Sequence, residues 1–109
     1  MGEHIQKNNI GTRFIATIVE DGVVKDVSSA GTKKILFKKP DGTTMIKDAT
    51  FVVAGVDGKI YYDSEAGDLD IAGAGWEYQG YVILSAPRAG TYYSEKKGFI
   101  VEDNIAEVP

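Results

Sequence analysis

Residues 33–47 read KKILFKKPDGTTMIK, in which the turn sequence PDGT separates two short strand-forming segments. Pro fixes φ and Gly accepts a positive φ, so PDGT predicts a tight reversal of the chain. The flanking segments are rich in residues that favour strands. Lysines bracket the apolar centre of the first segment and discourage pairing with another sheet. The stretch therefore predicts an antiparallel β-hairpin.

The same rhythm of short strands and turns extends in both directions from this hairpin. Strands are predicted at residues 13–20, 23–27, 33–39, 44–47, 49–54, 60–62, 76–84 and 98–102, and residues 91–94 lead into the last of them. Residues 64–75 form the longest irregular stretch, with one short helical turn that Gly73 and Gly75 end. Recurrent turns without an amphipathic helix favour an all-β, two-sheet antiparallel sandwich of seven to eight strands.

The length supports one domain, with an arm at one end and a tail at the other. The chain has 109 residues, near the commonest domain size. We expect a flexible N-terminal arm over residues 1–9, the sandwich over residues 10–102 and a polar C-terminal tail over residues 103–109. The predicted core consists of Phe14, Ile18, Ile35, Phe37, Phe51, Trp76, Val82 and Phe99.

The composition disfavours several classes of function. Cysteine is absent and His4 is the only histidine, which disfavours thiolate chemistry, a Ser-His-Asp centre and a multi-histidine zinc site. The formal net charge of −4 disfavours nucleic-acid binding, and no apolar run approaches the roughly 20 residues of a membrane-spanning helix. We therefore expect no enzyme activity, no cofactor, no nucleic-acid partner and no membrane association.

One cluster of acidic residues is a candidate calcium site. Asp63, Glu65, Asp68 and Asp70 lie within eight residues, and oxygen-rich loops bind Ca²⁺. Their spacing differs from the EF-hand pattern. The alternative is a solvated loop whose carboxylates cap turns.

Two tyrosine pairs are candidate interface residues. Neighbouring residues of a strand point to opposite faces, so one ring each of Tyr61–Tyr62 and Tyr92–Tyr93 faces outward or lies at a sheet rim. Exposed tyrosine favours protein interfaces and carbohydrate platforms; the alternative is that these rings cover the ends of the core. Two lysines, Lys33 and Lys38, are either solvated strand flanks or weak contacts to an acidic partner.

Several segments together resemble one known family. They are residues 35–43 (ILFKKPDGT), 57–62 (DGKIYY), 66–70 (AGDLD), 75–82 (GWEYQGYV) and 98–101 (GFIV). These segments resemble the strand-and-turn motifs of the immunoglobulin-like N-terminal domain of tailed-phage baseplate upper proteins, and of related phage structural domains. The resemblance runs from about residue 11 to residue 101 and implies an immunoglobulin-like sandwich.

The resemblance also implies a non-enzymatic structural protein of a tailed-bacteriophage virion, made in the host cytoplasm. Its partners would be other virion proteins and copies of itself. Baseplate upper proteins continue into further modules, whereas this sequence stops at Pro109, so we expect a small tail, baseplate or capsid accessory that decorates or adapts larger parts. The alternative function is an adhesion module for carbohydrate or Ca²⁺.

Overall fold

The computed structural model describes residues 3–85 and 89–106, and every regular element in these ranges is a β-strand. The strands are β1 Glu3–Gln6, β2 Arg13–Thr17, β3 Val19–Glu20, β4 Val23–Val24, β5 Ala30–Lys38, β6 Thr44–Asp48, β7 Thr50–Phe51, β8 Lys59–Asp63, β9 Gly73–Leu84, β10 Gly90–Tyr93 and β11 Lys97–Glu102. These residues contain no helix long and apolar enough to cross a membrane. The all-β prediction is confirmed.

The strands form one large sheet, one small sheet and a ribbon. The large sheet has the order β1-β11-β9-β5-β6, and β10 also pairs with β9. Its central strand β9 has 12 residues, with β5 along one side and β11 and β10 along the other. The small sheet has the order β2-β8-β7, and β3 and β4 form the separate ribbon.

One hydrophobic core joins the two sheets. The ring of Phe14 on β2 lies 5.0 Å from that of Phe37 on β5 and 5.1 Å from that of Phe99 on β11, measured between centroids. Trp76 on β9 is fully buried beside Phe99. Every residue of the predicted core is buried except Phe51, which is half-buried because β7 is a two-residue strand at the edge of the small sheet.

The hairpin predicted at residues 33–47 is confirmed. Strands β5 and β6 pair in antiparallel register, with Lys38 opposite Thr44 next to the turn. Gly42 has a φ of 90°, which a residue with a Cβ adopts only at a cost. Asp41 accepts hydrogen bonds from the backbone N–H and the hydroxyl of Thr43, and these bonds fix the turn.

The prediction of a flexible arm fails for residues 3–6, which form β1. This strand pairs in parallel with β11, from Glu3 beside Phe99 to Gln6 beside Glu102. Its apolar residue Ile5 is only 7% exposed, and burial of this side chain offsets the polar composition of the segment. Beyond β11, Asn104 donates a hydrogen bond to the backbone oxygen of Lys7, so the start of the predicted tail also contacts the domain.

Other boundaries differ from the prediction. Residues 64–75 contain no helical turn, because Asp68 holds the loop in a hydrogen-bonded turn and β9 already begins at Gly73. The strand predicted at residues 13–20 divides at Ile18 into β2 and β3. The N–H of Ile18 donates to Gly58 at the end of the β2–β8 ladder, and its oxygen accepts from Lys25 at the end of the β3–β4 ladder, so the chain changes partner strand at this residue. The 11 strands among the described residues therefore exceed the seven to eight expected.

Candidate interaction surface

The face of the large sheet that points away from the core carries exposed apolar and aromatic side chains. Because Ile35 and Phe37 are buried in the core, Leu36 between them points to the opposite face. We call this side the outer face. It includes Ile46, Tyr93 and Ile83, whose exposed fractions are 65%, 55% and 39%.

Strand register arranges these residues in rows across the sheet. In one row, Leu36 on β5 lies between Ile46 on β6 and Gln79 on β9. In the next row, Tyr81 on β9 lies opposite Tyr93 on β10, with their ring centroids 5.0 Å apart. Each row therefore contains one apolar or aromatic pair, with Gln79 beside Leu36 in the first row and Lys34 beside Tyr81 in the second.

A shallow depression of about 320 Å³ lies in this surface. Its lining includes Leu36, Ile46 and Gln79, and three charged residues, Lys38, Glu77 and Lys96. This volume is near the lower end of the range for small-molecule pockets, and it suits protruding side chains of another protein. We call this feature the depression.

The tyrosine pairs divide between the core and the surface, as strand alternation predicts. Tyr62 is buried, and its hydroxyl donates a hydrogen bond to Asp68. Tyr61 is half-buried on the other face, where the Arg13 guanidinium covers its ring at 3.8 Å from the centroid. The Tyr61–Tyr62 pair therefore offers no open aromatic surface.

In the second pair, Tyr93 belongs to the outer face and Tyr92 packs against the core. The Nζ of Lys25 lies 4.3 Å from the centroid of the Tyr92 ring. Of the two candidate lysines, Lys38 is exposed and lines the depression. Lys33 is half-buried, with its Nζ 4.6 Å from the centroid of the Phe51 ring, so it serves packing at the edge of the core.

The four calcium candidates are not brought together. Arg13 pairs with Asp63 at 2.8 Å, Lys39 pairs with Asp70 at 2.9 Å, and Glu65 has an exposed side chain. The hydrogen bond from Arg13 lowers the pKa of Asp63. Within residues 3–85 and 89–106, no three acidic or histidine side chains are grouped as metal ligands would be.

The fourth candidate, Asp68, is a buried structural charge. It is 5% exposed and accepts hydrogen bonds from the Tyr62 hydroxyl and from the backbone N–H of Glu65 at 2.8 Å, while the Nζ of Lys47 lies 3.2 Å away. Burial opposes ionisation, but these partners outweigh it and lower the pKa of Asp68. Burial, followed by the hydrogen bond to Asp68, raises the pKa of Tyr62.

Sequence reasoning missed most of the outer face, namely Leu36, Ile46, Gln79, Tyr81 and Ile83. A signal for it was present in β9, where Tyr81 and Ile83 alternate with the buried Val82 and Leu84. Apolar residues on both faces of a strand indicate either a second buried layer or a surface that binds a partner. The prediction used only the side chains of this strand that face the core.

Comparison with known proteins adds no family assignment. No protein-family model matches the chain, and no curated protein sequence matches it.

Proposed function

We propose that the chain is a non-enzymatic structural component of a tailed-bacteriophage virion, built as an immunoglobulin-like sandwich, that works by protein–protein assembly. The observation that carries the assembly role is the outer face, on which Ile46 in the lining of the depression and Tyr93 and Ile83 in the following rows are exposed. The resemblance of residues 35–43 and 75–82 to phage immunoglobulin-like domains supplies the virion as its setting.

The chemistry of the outer face supports a protein partner. Tyrosine and large aliphatic residues at the centre of a patch, with charged residues at its rim, are typical of protein interfaces. Here Leu36 and Ile46 lie between Lys38 and Glu77 on one side and Lys34 on the other. Contiguous exposed apolar residues of this kind mark interaction sites more often than bare monomer surface.

The immunoglobulin-like assignment is supported by two facing sheets that share one core. The turn motif of residues 35–43 closes the β5–β6 hairpin, and the tryptophan of residues 75–82 is central to the core. The motif residues thus form turns and core contacts. This is what we expect of motifs that reflect a shared fold.

The adhesion alternative receives less support. Ion pairs occupy Asp63, Asp68 and Asp70, and the described part of the chain groups no three such side chains as ligands for Ca²⁺. Arg13 covers the Tyr61 ring, which removes a stacking platform for a sugar. A glycan array with the purified protein tests this alternative, and specific binding there would favour adhesion over assembly.

The proposed function is tested by mass spectrometry of purified virions of the phage or prophage that encodes the chain. We expect the protein in several copies per particle. We also expect Ile46→Asn on the outer face to reduce its incorporation, while Thr50→Asn, an exposed change on the small sheet, leaves incorporation unchanged. Absence of the protein from the virions would contradict the proposal.

A further inference from the structure

A second exposed apolar surface is formed where the β3–β4 ribbon meets the loop of residues 52–58. Five exposed valines lie in these segments: Val19 and Val24 on one face of the ribbon (42% and 49% exposed), Val23 on its other face (67%), and Val53 and Val56 in the loop (80% and 63%). We call this surface the valine end. So many exposed branched side chains within two short segments are unusual for a surface that faces only water.

The ribbon and the loop are held together as one unit. The backbone N–H of Ile18 donates to the oxygen of Gly58, and that of Val27 donates to the oxygen of Gly55, both at 2.8 Å. A Cβ at Gly58 would lie 2.7 Å from both the Lys25 oxygen and a methyl group of Val24, so the two segments are in tight contact. The valine end is therefore a preformed surface.

The ribbon ends in a two-residue turn. Its turn residues Asp21 and Gly22 have φ values of 52° and 78°, which match the two-residue turns favoured in hairpins. Val23 directly follows this turn and is 67% exposed. An exposed apolar side chain therefore lies directly beside the hairpin turn.

The valine end and the depression have opposite net charges. Residues 19–26 and 52–58 contain four acidic residues and one lysine, which gives a net charge of −3, or −2 when the neighbouring Lys59 is included. The depression is lined by two lysines and one glutamate, Lys38, Lys96 and Glu77, which gives +1. Both surfaces also include exposed apolar residues, so they are complementary in charge and alike in their apolar character.

We propose that the valine end of one copy of this chain docks into the depression of another copy. The inference deepens the proposed assembly role and rests on it for its biological meaning. Two different patches meet in such a contact, so it is heterologous: each copy keeps one free end and one free depression, and further copies add in a ring or an open array.

A contact through one hairpin tip is small, and small interfaces are weak in solution. We therefore expect the purified protein to be monomeric when dilute and to associate progressively as its concentration approaches about 1 mM. Neighbouring copies held in a larger particle would experience a high effective concentration, which strengthens such a contact without new bonds.

Two variants separate the halves of the contact. Val23→Asn alters the valine end, and Ile46→Asn alters the depression; both side chains are more than 60% exposed, so folding should be preserved. Each variant alone has lost one of the two surfaces of the contact, so its self-association should weaken by at least about tenfold. An equimolar mixture retains one intact valine end and one intact depression, and it should form a 1:1 dimer that does not grow further.

Sedimentation equilibrium measures the self-association of the wild type, of each variant and of their mixture. Thr50→Asn is the matched control, and we expect it to behave like wild type. Far-ultraviolet circular dichroism checks that each variant is folded. A wild type that stays monomeric at about 1 mM overturns the proposal. So does a mixture that stays monomeric, or a Val23→Asn variant that associates as tightly as wild type, which would indicate a symmetric contact between outer faces. This experiment does not depend on whether the protein is found in virions. The proposed function and the proposed self-contact can therefore fail independently.

Discussion

Asp68 shows how a single carboxylate organises a loop that looks solvated in the sequence. Its side chain links the Tyr62 hydroxyl of β8, the backbone of Glu65 within the loop and Lys47 of β6. Leu69, the next residue, is fully buried and anchors the loop to the core. The acidic composition of residues 63–70 therefore serves structure at this position.

Replacing Asp68 by Asn should destabilise the protein by about 2 kcal/mol at pH 7, because a buried charge-assisted hydrogen bond is lost and Lys47 loses its counter-ion. Urea unfolding of wild type and D68N measures the difference. The matched control is Asp70→Asn, whose carboxylate pairs with Lys39 at the surface and should cost less than about 1 kcal/mol. Equal losses in the two variants would contradict the structural role of Asp68.

The pH dependence of that difference provides a further check. The folded-state pKa of Asp68 is lowered, so its contribution to stability is present above the unfolded-state pKa and is lost as the pH falls through the folded value. The gap between wild type and D68N should therefore narrow below about pH 4. A gap that is constant from neutral pH into strong acid would show that ionised Asp68 contributes nothing.

At the level of elements, Gly80 sets the distance between the two sheets. A Cβ at this position of β9 would lie 2.6 Å from the Cβ of Ala16 on β2, closer than two such atoms pack. We expect Gly80→Ala to lower the free energy of unfolding by about 2 kcal/mol, since the sheets must separate to admit the methyl group. Thermal unfolding measures this change.

The control for Gly80→Ala is Gly31→Ala, also in a strand of the large sheet. A Cβ at Gly31 meets nothing within 4 Å, and its φ is not in the positive range that favours glycine. This substitution should be neutral or stabilise the protein by up to about 1 kcal/mol, because alanine restricts the unfolded chain. If both variants were equally stable, the close approach at Gly80 would be refuted.

Strand β1 makes a separate prediction, because it places the side chain of Ile5 in the core. Ile5→Ala should cost about 2 kcal/mol, the lower range for removing a buried aliphatic side chain, since β1 lies at the sheet edge. Ile105→Ala, at a fully exposed position, should cost nothing. Chemical denaturation measures the stability of both variants. If Ile5→Ala were as stable as wild type, residues 3–6 would be better described as an arm.

The elements that the sequence predicted are those whose signals are local. Pro40 and Gly42 define the β5–β6 turn by themselves, and Trp76 to Leu84 carry enough strand-forming residues to mark β9. By contrast, β1 exists because β11, far along the chain, supplies its partner. No local pattern in residues 3–6 encodes that pairing.

The candidate surface was predictable only in part, for the same reason. Alternation correctly required one ring of each tyrosine pair to face away from the core, but it did not say which one. Tyr93 meets Tyr81, and Leu36 meets Ile46 and Gln79, through the register of separate strands. Register depends on pairing across the whole sheet, so the depression emerges only with the three-dimensional structure.

For the molecule as a whole, the shared core implies cooperative unfolding. Phe14 from the small sheet contacts rings from three strands of the large sheet, so neither sheet keeps a complete core alone. We expect Trp76 fluorescence and far-ultraviolet circular dichroism to give the same urea midpoint. Trp76 is fully buried, with its indole N–H bonded to the Ile71 oxygen, so it reports on the core. Separate midpoints for the two probes would show that the sheets unfold independently.

The parallel pairing of β1 with β11 has a mechanical consequence. Glu3 lies beside Phe99 and Gln6 beside Glu102, so the chain enters β1 at one end of this ladder and leaves β11 at the other. Tension applied between these two points acts along the strands in opposite directions. It loads the ladder in shear, so the hydrogen bonds resist together and are not peeled apart one at a time. The parallel register of β1 and β11 therefore favours mechanical resistance to tension along the chain.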